Sequence, residues 1–227
     1  MNFKIINKTA YPLAEISLNR GEEVRIERGC MVYHHGGVVL EGKRNSNDNS
    51  ILKAIGRSLV SNESFYITTA RGENDGAKLG IAPSTPGDIR ELEVGNKQWR
   101  INDGAFLACD NSVIYNIKKQ SLGRAIFGGT GSLFIMETAG QGSMLLNCFG
   151  DLIELECTRE RPLIVDNMHV VAWSADINYN IQVASGIFGF KTGEGLVNEF
   201  VGNGTVYIQT RNISSMASEM SKFITKG

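Results

Sequence analysis

The stretch Gly150-Asp151-Leu152-Ile153-Glu154-Leu155-Glu156-Cys157 nearly copies Gly87-Asp88-Ile89-Arg90-Glu91-Leu92-Glu93-Val94, sixty-three residues earlier. A chain that repeats itself at a fixed interval builds like units that bury their apolar faces against one another. In each copy the last four residues alternate acid and apolar, Glu91 and Glu93 against Leu92 and Val94, Glu154 and Glu156 against Leu155 and Cys157. That period of two is the signature of a half-buried β-strand.

A weaker third copy precedes these two. Ala14-Glu15-Ile16-Ser17-Leu18 overlays Arg90 to Val94. The next stretch, Val24-Arg25-Ile26, falls on Trp99-Arg100-Ile101, and that on Pro162-Leu163-Ile164. Third strands are expected at Met31-Val32-Tyr33, Phe106-Leu107-Ala108 and His169-Val170-Val171, and fourth strands around Val38, Val113 and Ile177. Paired strands close each copy, around Ile67 and Leu79, Ile135 and Leu145, and Val197 and Val206, with Gly76, Gly142 and Gly204 aligned at their turns. The expected fold is all-β: three tandem antiparallel β-sandwich repeats with pseudo-threefold symmetry and a shared core. They cover residues 11–83, 87–146 and 150–211 of one compact unit spanning 1–227.

Two stretches break the pattern. Asn45 to Ser50 is a polar run with strong turn chemistry, and behind it Ile51, Leu52, Ile55 and Leu59 recur at helical steps. After Arg211 the repeat does not restart. Instead Ile213, Met216, Ala217, Met220, Phe223 and Ile224 trace one face of an amphipathic helix over 213–226, with Ser214 or Ser215 as its N-cap. A short helix is marginal in water, so this one is expected to dock on the β body or on a neighbouring subunit.

Bulk chemistry excludes some functions. Twenty-three Lys and Arg against 24 Asp and Glu leave a formal net charge of −1, so no global field exists to hold a nucleic-acid backbone or an anionic membrane. Cys30, Cys109, Cys148 and Cys157 form no CxxC pair, and each sits in an apolar run, which suits small buried thiols in a reducing setting. The N-terminus has no leader-like apolar region, and no apolar run is long enough to span a bilayer, so the expectation is a cytoplasmic protein.

The segments Gly193-Glu194-Gly195-Leu196, Phe200 to Arg211 and Pro86-Gly87-Asp88-Ile89 resemble the bacterial relatives of the altered-inheritance-of-mitochondria protein twenty-four family, over nearly the whole chain. The resemblance implies a fold similar to that of the tryptophan RNA-binding attenuation protein, with three β-sandwich units in one chain. It implies no activity or site residues. One departure is Asn203 between Gly202 and Gly204, where proline is expected from the family pattern.

No constellation of catalytic residues emerges. His34 and His35 are adjacent, so in a strand they point to opposite faces and do not share an ion, and His169 lies in the apolar run Met168 to Trp173. None of the cysteines stands in a nucleophile motif. The clusters Gly128-Gly129-Thr130-Gly131 and Gly193-Glu194-Gly195 precede strands, whereas phosphate loops feed helices. Glu91 with Glu93, and Glu154 with Glu156, share a strand face and read as solvated acids that blunt a sheet edge. Lys118, Lys119, Arg124, Arg159 and Arg161 are scattered rather than interleaved with aromatics.

The sequence therefore points to no catalytic, cofactor or metal residues. Its leading function is a non-enzymatic binding or scaffold protein that associates with itself or another protein through its C-terminal helix or sheet edges. An enzyme or small-ligand binder of unspecified type is the alternative. RNA binding, by analogy of fold only, is the third.

Overall fold

A computed structural model describes residues 1–6, 10–44, 66–102, 104–120, 133–183 and 196–224. The polar run and helical pattern expected over 45–59 lie outside them, as do both glycine clusters. The described chain is all-β apart from one 3-10 turn and one short helix.

The first third contains β1 (Asn2–Ile6), β2 (Leu13–Leu18), β3 (Glu23–Glu27), β4 (Met31–His35), β5 (Val38–Arg44), β6 (Tyr66–Gly72) and β7 (Ala77–Ile81). The second contains β8 (Ile89–Val94), β9 (Trp99–Asn102), β10 (Phe106–Asp110), β11 (Val113–Gln120), β12 (Leu133–Gly140) and β13 (Gly142–Asn147). The last contains β14 (Leu152–Cys157), β15 (Leu163–Asp166), a 3-10 turn (Asn167–His169), β16 (Val170–Ser174), β17 (Asn178–Val183), β18 (Leu196–Val201), β19 (Gly204–Gln209) and α1 (Ile213–Ser221). Strand β1 is an element the periodicity did not announce. It lies antiparallel along β2 and lays Phe3 and Ile5 on the core beneath.

All pairings are antiparallel, and the sheet orders are β1-β2-β7-β4, β5-β6-β3-β10-β13-β8, β11-β12-β9-β16-β19-β14 and β15-β18-β17. Each third thus supplies two three-stranded blocks, β2-β7-β4 with β5-β6-β3, β8-β13-β10 with β11-β12-β9, and β14-β19-β16 with β15-β18-β17. Blocks from neighbouring thirds join edge to edge. Strand β3 pairs with β10, Arg25 opposite Cys109, and β9 pairs with β16, Arg100 opposite Trp173.

The pairings correct the sequence alignment by one residue. On β15 the residues opposite β18 place Leu163, Ile164 and Val165, not Pro162 to Ile164, at the positions of Trp99, Arg100 and Ile101. A slip of one residue exchanges the two faces of a strand, and exposure agrees with the new register, since Val165 is buried and Ile164 is not. Likewise Ala77, not Gly76, stands where Gly142 and Gly204 do, opposite the last residue of β2 as they are opposite those of β8 and β14.

The interior divides into three apolar clusters where one shared core was expected, and each borrows from a neighbouring third. Leu107 and Ala108 of β10 pack with Ile16, Ile26 and Leu79 of the first third, and Val171 and Ala172 of β16 pack with Leu92, Trp99 and Met144 of the second. The last cluster centres on Trp173, edge-on to Phe200 and Tyr179 with centroids 5.5 and 4.9 Å away, and takes in Ile135 from β12. An arginine reinforces each joint. Arg25 donates to the Val113 carbonyl at 2.8 Å and lies over the Tyr115 ring, while Arg100 donates to the Ile177 carbonyl at 3.0 Å and lies over Tyr179. Burial pushes the Glu137 carboxyl up, but hydrogen bonds from Lys118 and Arg100 outweigh it and hold the group below its usual range.

The repeated Gly-Asp turns meet in space. Gly150 N–H donates to the Pro86 carbonyl at 2.9 Å and Cys148 N–H to that of Asp88 at 3.3 Å. A Cβ on Gly87 would sit 1.8 Å from the Cys148 carbonyl oxygen, an impossible approach to backbone. Gly87→Ala is therefore expected to lower stability by more than about 2 kcal/mol in denaturant melts, whereas Gly95→Ala, with nothing near its Cβ, changes it by less than about 0.5 kcal/mol. Equal effects of the two substitutions would show that the turn contact is not tight.

Candidate functional site

The chain's histidines do not converge. His34 and His35 lie on β4, exposed, with the His35 ring stacked on Tyr33 at 6.3 Å between centroids. His169 closes the 3-10 turn and is not the first residue of a strand, because the Asp166 carboxylate accepts from Met168 N–H at 2.7 Å and caps that turn. Among the described residues no three His, Cys, Asp or Glu side chains are placed to hold a metal ion.

The thiols are buried and unpaired by disulfides. Desolvation pushes Cys30 and Cys109 up to about 12 and Cys148 to about 11. A buried thiol that stays protonated is a poor nucleophile. The acid pairs fall where edge protection predicts them: Glu91 and Glu93 on β8, and Glu154 and Glu156 on β14, are exposed on the outermost strands of the two six-stranded sheets. Lys118 is engaged with Glu137, Arg159 and Arg161 sit in the turn after β14, and Arg124 lies outside the described residues.

The one histidine built into a network marks the candidate site. His169 Nδ1 is 2.6 Å from the Gln209 carbonyl, which can only accept, so this nitrogen carries the proton. Nε2 is then free to accept from Asn212 Nδ2 at 2.9 Å, while Asn212 Oδ1 accepts from Ser215 N–H at 2.8 Å. Asn212 is thus the N-cap of α1, where Ser214 or Ser215 was expected. The cap ties the helix to the end of β19 through His169. Between them opens a cleft of about 520 Å³, lined in part by Phe149, His169, Arg211, Met216 and Met220.

The helix itself is shorter than expected and does not bury its apolar face. It ends at Ser221, and Met216, Met220, Phe223 and Ile224 are all exposed. The amphipathic pattern identified the helix, but the body of the same chain offers it only the capping end. The sequence signal for that end is Asn212, a capping residue type directly before the apolar period.

With this geometry in place, comparison with known proteins adds a family. The family model described as Mitochondrial biogenesis AIM24 matches residues 3–211. The chain belongs to that family. Within it, an uncharacterised protein of Streptococcus pyogenes serotype M6 is 43% identical over 99% of this chain and 91% of its own length. A crystal structure of a Streptococcus pyogenes protein, 42% identical, superposes with a TM-score of 0.81 over 98% of this chain and 99% of that one. The AIM24 match ends at the boundary between β19 and the helix, so α1 stands outside the matched span. Among the described residues no helix is long and apolar enough to cross a membrane.

Two measurements check the site. Asn212→Ala should cost about 1 kcal/mol of helix stability and speed exchange of the Ser215 amide, leaving the β-sheet amides unchanged; an unaltered Ser215 amide would disprove the cap. For the thiols, a raised folded pKa favours the protonated form, so their contribution to stability is full below the ordinary thiol range of about 8.5 and is lost as pH climbs from there toward about 12. At pH 8 Cys30, Cys109 and Cys148 should resist an aromatic disulfide reagent until the protein unfolds, and a fast-reacting native thiol at any of them would contradict their burial.

Proposed function

We propose that the chain is a non-enzymatic binding and assembly protein, built of three tandem antiparallel β-sandwich units like those of the tryptophan RNA-binding attenuation protein. The observation that carries this reading is where the apolar surface goes. Val32 on β4, Ile164 on β15, and Met216, Met220 and Phe223 on and after α1 are exposed, while titratable side chains are dispersed and the strongly shifted thiols are kept neutral. Apolar groups held outward on ordered elements suit contact with another macromolecule. The identical block order in each third supports the tandem units. Pseudo-threefold symmetry enters the proposal as repetition of a unit, since a closed ring of three would need a third joint, β15 to β4. Buried free cysteines suit the reducing cytoplasm.

A small-ligand binder is the second reading, and the cleft under α1 is what favours it, with Arg211 and His169 beside apolar Phe149 and Met216. RNA binding rests on the likeness of fold alone. Light scattering on a sizing column, with elemental analysis and the ratio of absorbance at 260 and 280 nm, separates the three. The expected outcome is a multiple of the 24.8 kDa chain mass, no stoichiometric metal and no co-purifying nucleic acid. A strictly monomeric protein carrying bound metal or nucleic acid would overturn the assembly reading.

A further inference from the structure

The two internal joints define a complete interface, and among the described residues both halves of a third stand unmatched. In each joint the second strand of one unit pairs with the third strand of the next, β3 with β10 and β9 with β16. Among the described residues the second strand of the last unit, β15, and the third strand of the first, β4, are left as sheet edges. From this, and resting on the tandem-unit reading above, we propose that β4 of one copy pairs antiparallel with β15 of a second copy of this chain.

The side chains fit that seat. Strands β4, β10 and β16 carry a β-bulge at the same place, leaving Val32, Leu107 and Val171 as the extra residues. Leu107 is 0% exposed and Val171 1%, each packed into the core of the preceding unit, whereas Val32 is 56% exposed. An apolar residue is thus already in place for a core that the single chain does not bring to it. The matching core belongs to the last unit, whose β15 offers Val165 inward and Ile164, 61% exposed, on the other face.

The crossing contact changes in a coordinated way. Tyr115, Tyr179 and Leu40 stand opposite Thr138, Phe200 and Ala70 on the fifth strands, and Arg100, Ile164 and Arg25 stand opposite the residue before each, Glu137, Glu199 and Thr69. Internally, an arginine of one unit crosses to a tyrosine of the next, Arg25 to Tyr115 and Arg100 to Tyr179. At the open joint both partners are replaced together, Ile164 for the arginine and Leu40 for the tyrosine. A charged and aromatic pair becomes an aliphatic pair, which is complementary only if the two meet. The register of the internal joints sets His34 opposite Ile164, with Tyr33 opposite Val165. Strand β4 is held ready for this by the Tyr33 hydroxyl, which donates to Glu15, and by Gly80, whose missing Cβ leaves room for the Tyr33 ring.

Such an interface is heterologous, because each copy uses a different edge on either side, so it builds rings or open chains rather than a twofold dimer. The test is cysteine crosslinking of the full chain. His34→Cys and Ile164→Cys, purified separately, are mixed and oxidised, since opposed strand residues lie within disulfide reach at about 4.5–5.5 Å between Cα atoms. The expected product is a covalent dimer on a non-reducing gel, from the mixture and from neither variant alone. The double variant should give a ladder of multimers. In parallel, Val32→Asp, exposed in the single chain, should leave the circular dichroism spectrum unchanged and reduce the mass by light scattering to one chain. Absence of the mixed dimer, an intrachain disulfide in the double variant, or a Val32→Asp protein of unchanged mass would each overturn the proposal. Arg25→Cys, placed opposite the native Cys109, reports the internal joint separately. If that disulfide forms while the mixed dimer does not, the tandem-unit reading stands and the intermolecular joint falls.

Discussion

The structure depends on edge-to-edge strand pairing between thirds of the chain. A three-stranded block with one apolar face is at the lower limit of size for independent stability, and the joints relieve each block of standing alone. Strand β10, paired with β13 in its own block, presents its other edge to β3 and so continues the sheet that starts with β5, and β16 does the same against β9. The bulge in each joining strand turns its extra residue, Leu107 or Val171, into the neighbour's core. Hydrogen bonding and apolar burial are therefore coupled across each joint, and neither can be lost without the other. The half-buried guanidiniums of Arg25 and Arg100 add direction, since a planar donor over a tyrosine ring with a carbonyl to donate to tolerates little shift in register.

Edge chemistry then decides what the surface can do. The outer strands β8 and β14 each expose a pair of glutamates, which discourage unplanned pairing, and β2 is covered by β1. Strand β4 carries Met31, Val32 and two histidines instead, and β15 carries Ile164. The helix α1 adds a second exposed apolar face, with Met216 and Met220, and is tied to the body at one end by the His169–Asn212 network. Acidic residues thus dominate some edges and apolar ones others within one chain.

Much of the order of elements was legible in the sequence because each unit alternates strongly, and the Gly-Asp-x-x-Glu-Leu-Glu copies fixed two of the three starting strands. What eluded it has a physical cause. On β15 the apolar run Leu163-Ile164-Val165 has no alternation, so nothing local set which residue faced inward, and only the pairing with β18 did. The joints were invisible because β3, β9, β10 and β16 look like any half-buried or buried strand, and sequence cannot say whose core they enter. Arg25 and Arg100 gave a faint signal, a basic residue at the same position in two copies, which the misplaced alignment of the third obscured. For the site, the amphipathic period found the helix, but the network around His169 joins residues about forty apart and had no local mark.

Native-state hydrogen exchange across a denaturant series measures whether the β3–β10 and β9–β16 joints make the thirds one cooperative body. Amides of β9, β10, β16 and β19 are expected to exchange through one shared global opening, with the same free energy and the same denaturant dependence. If β16 and β19 open at distinctly lower free energy while β9 and β10 stay closed, the joints do not couple the thirds.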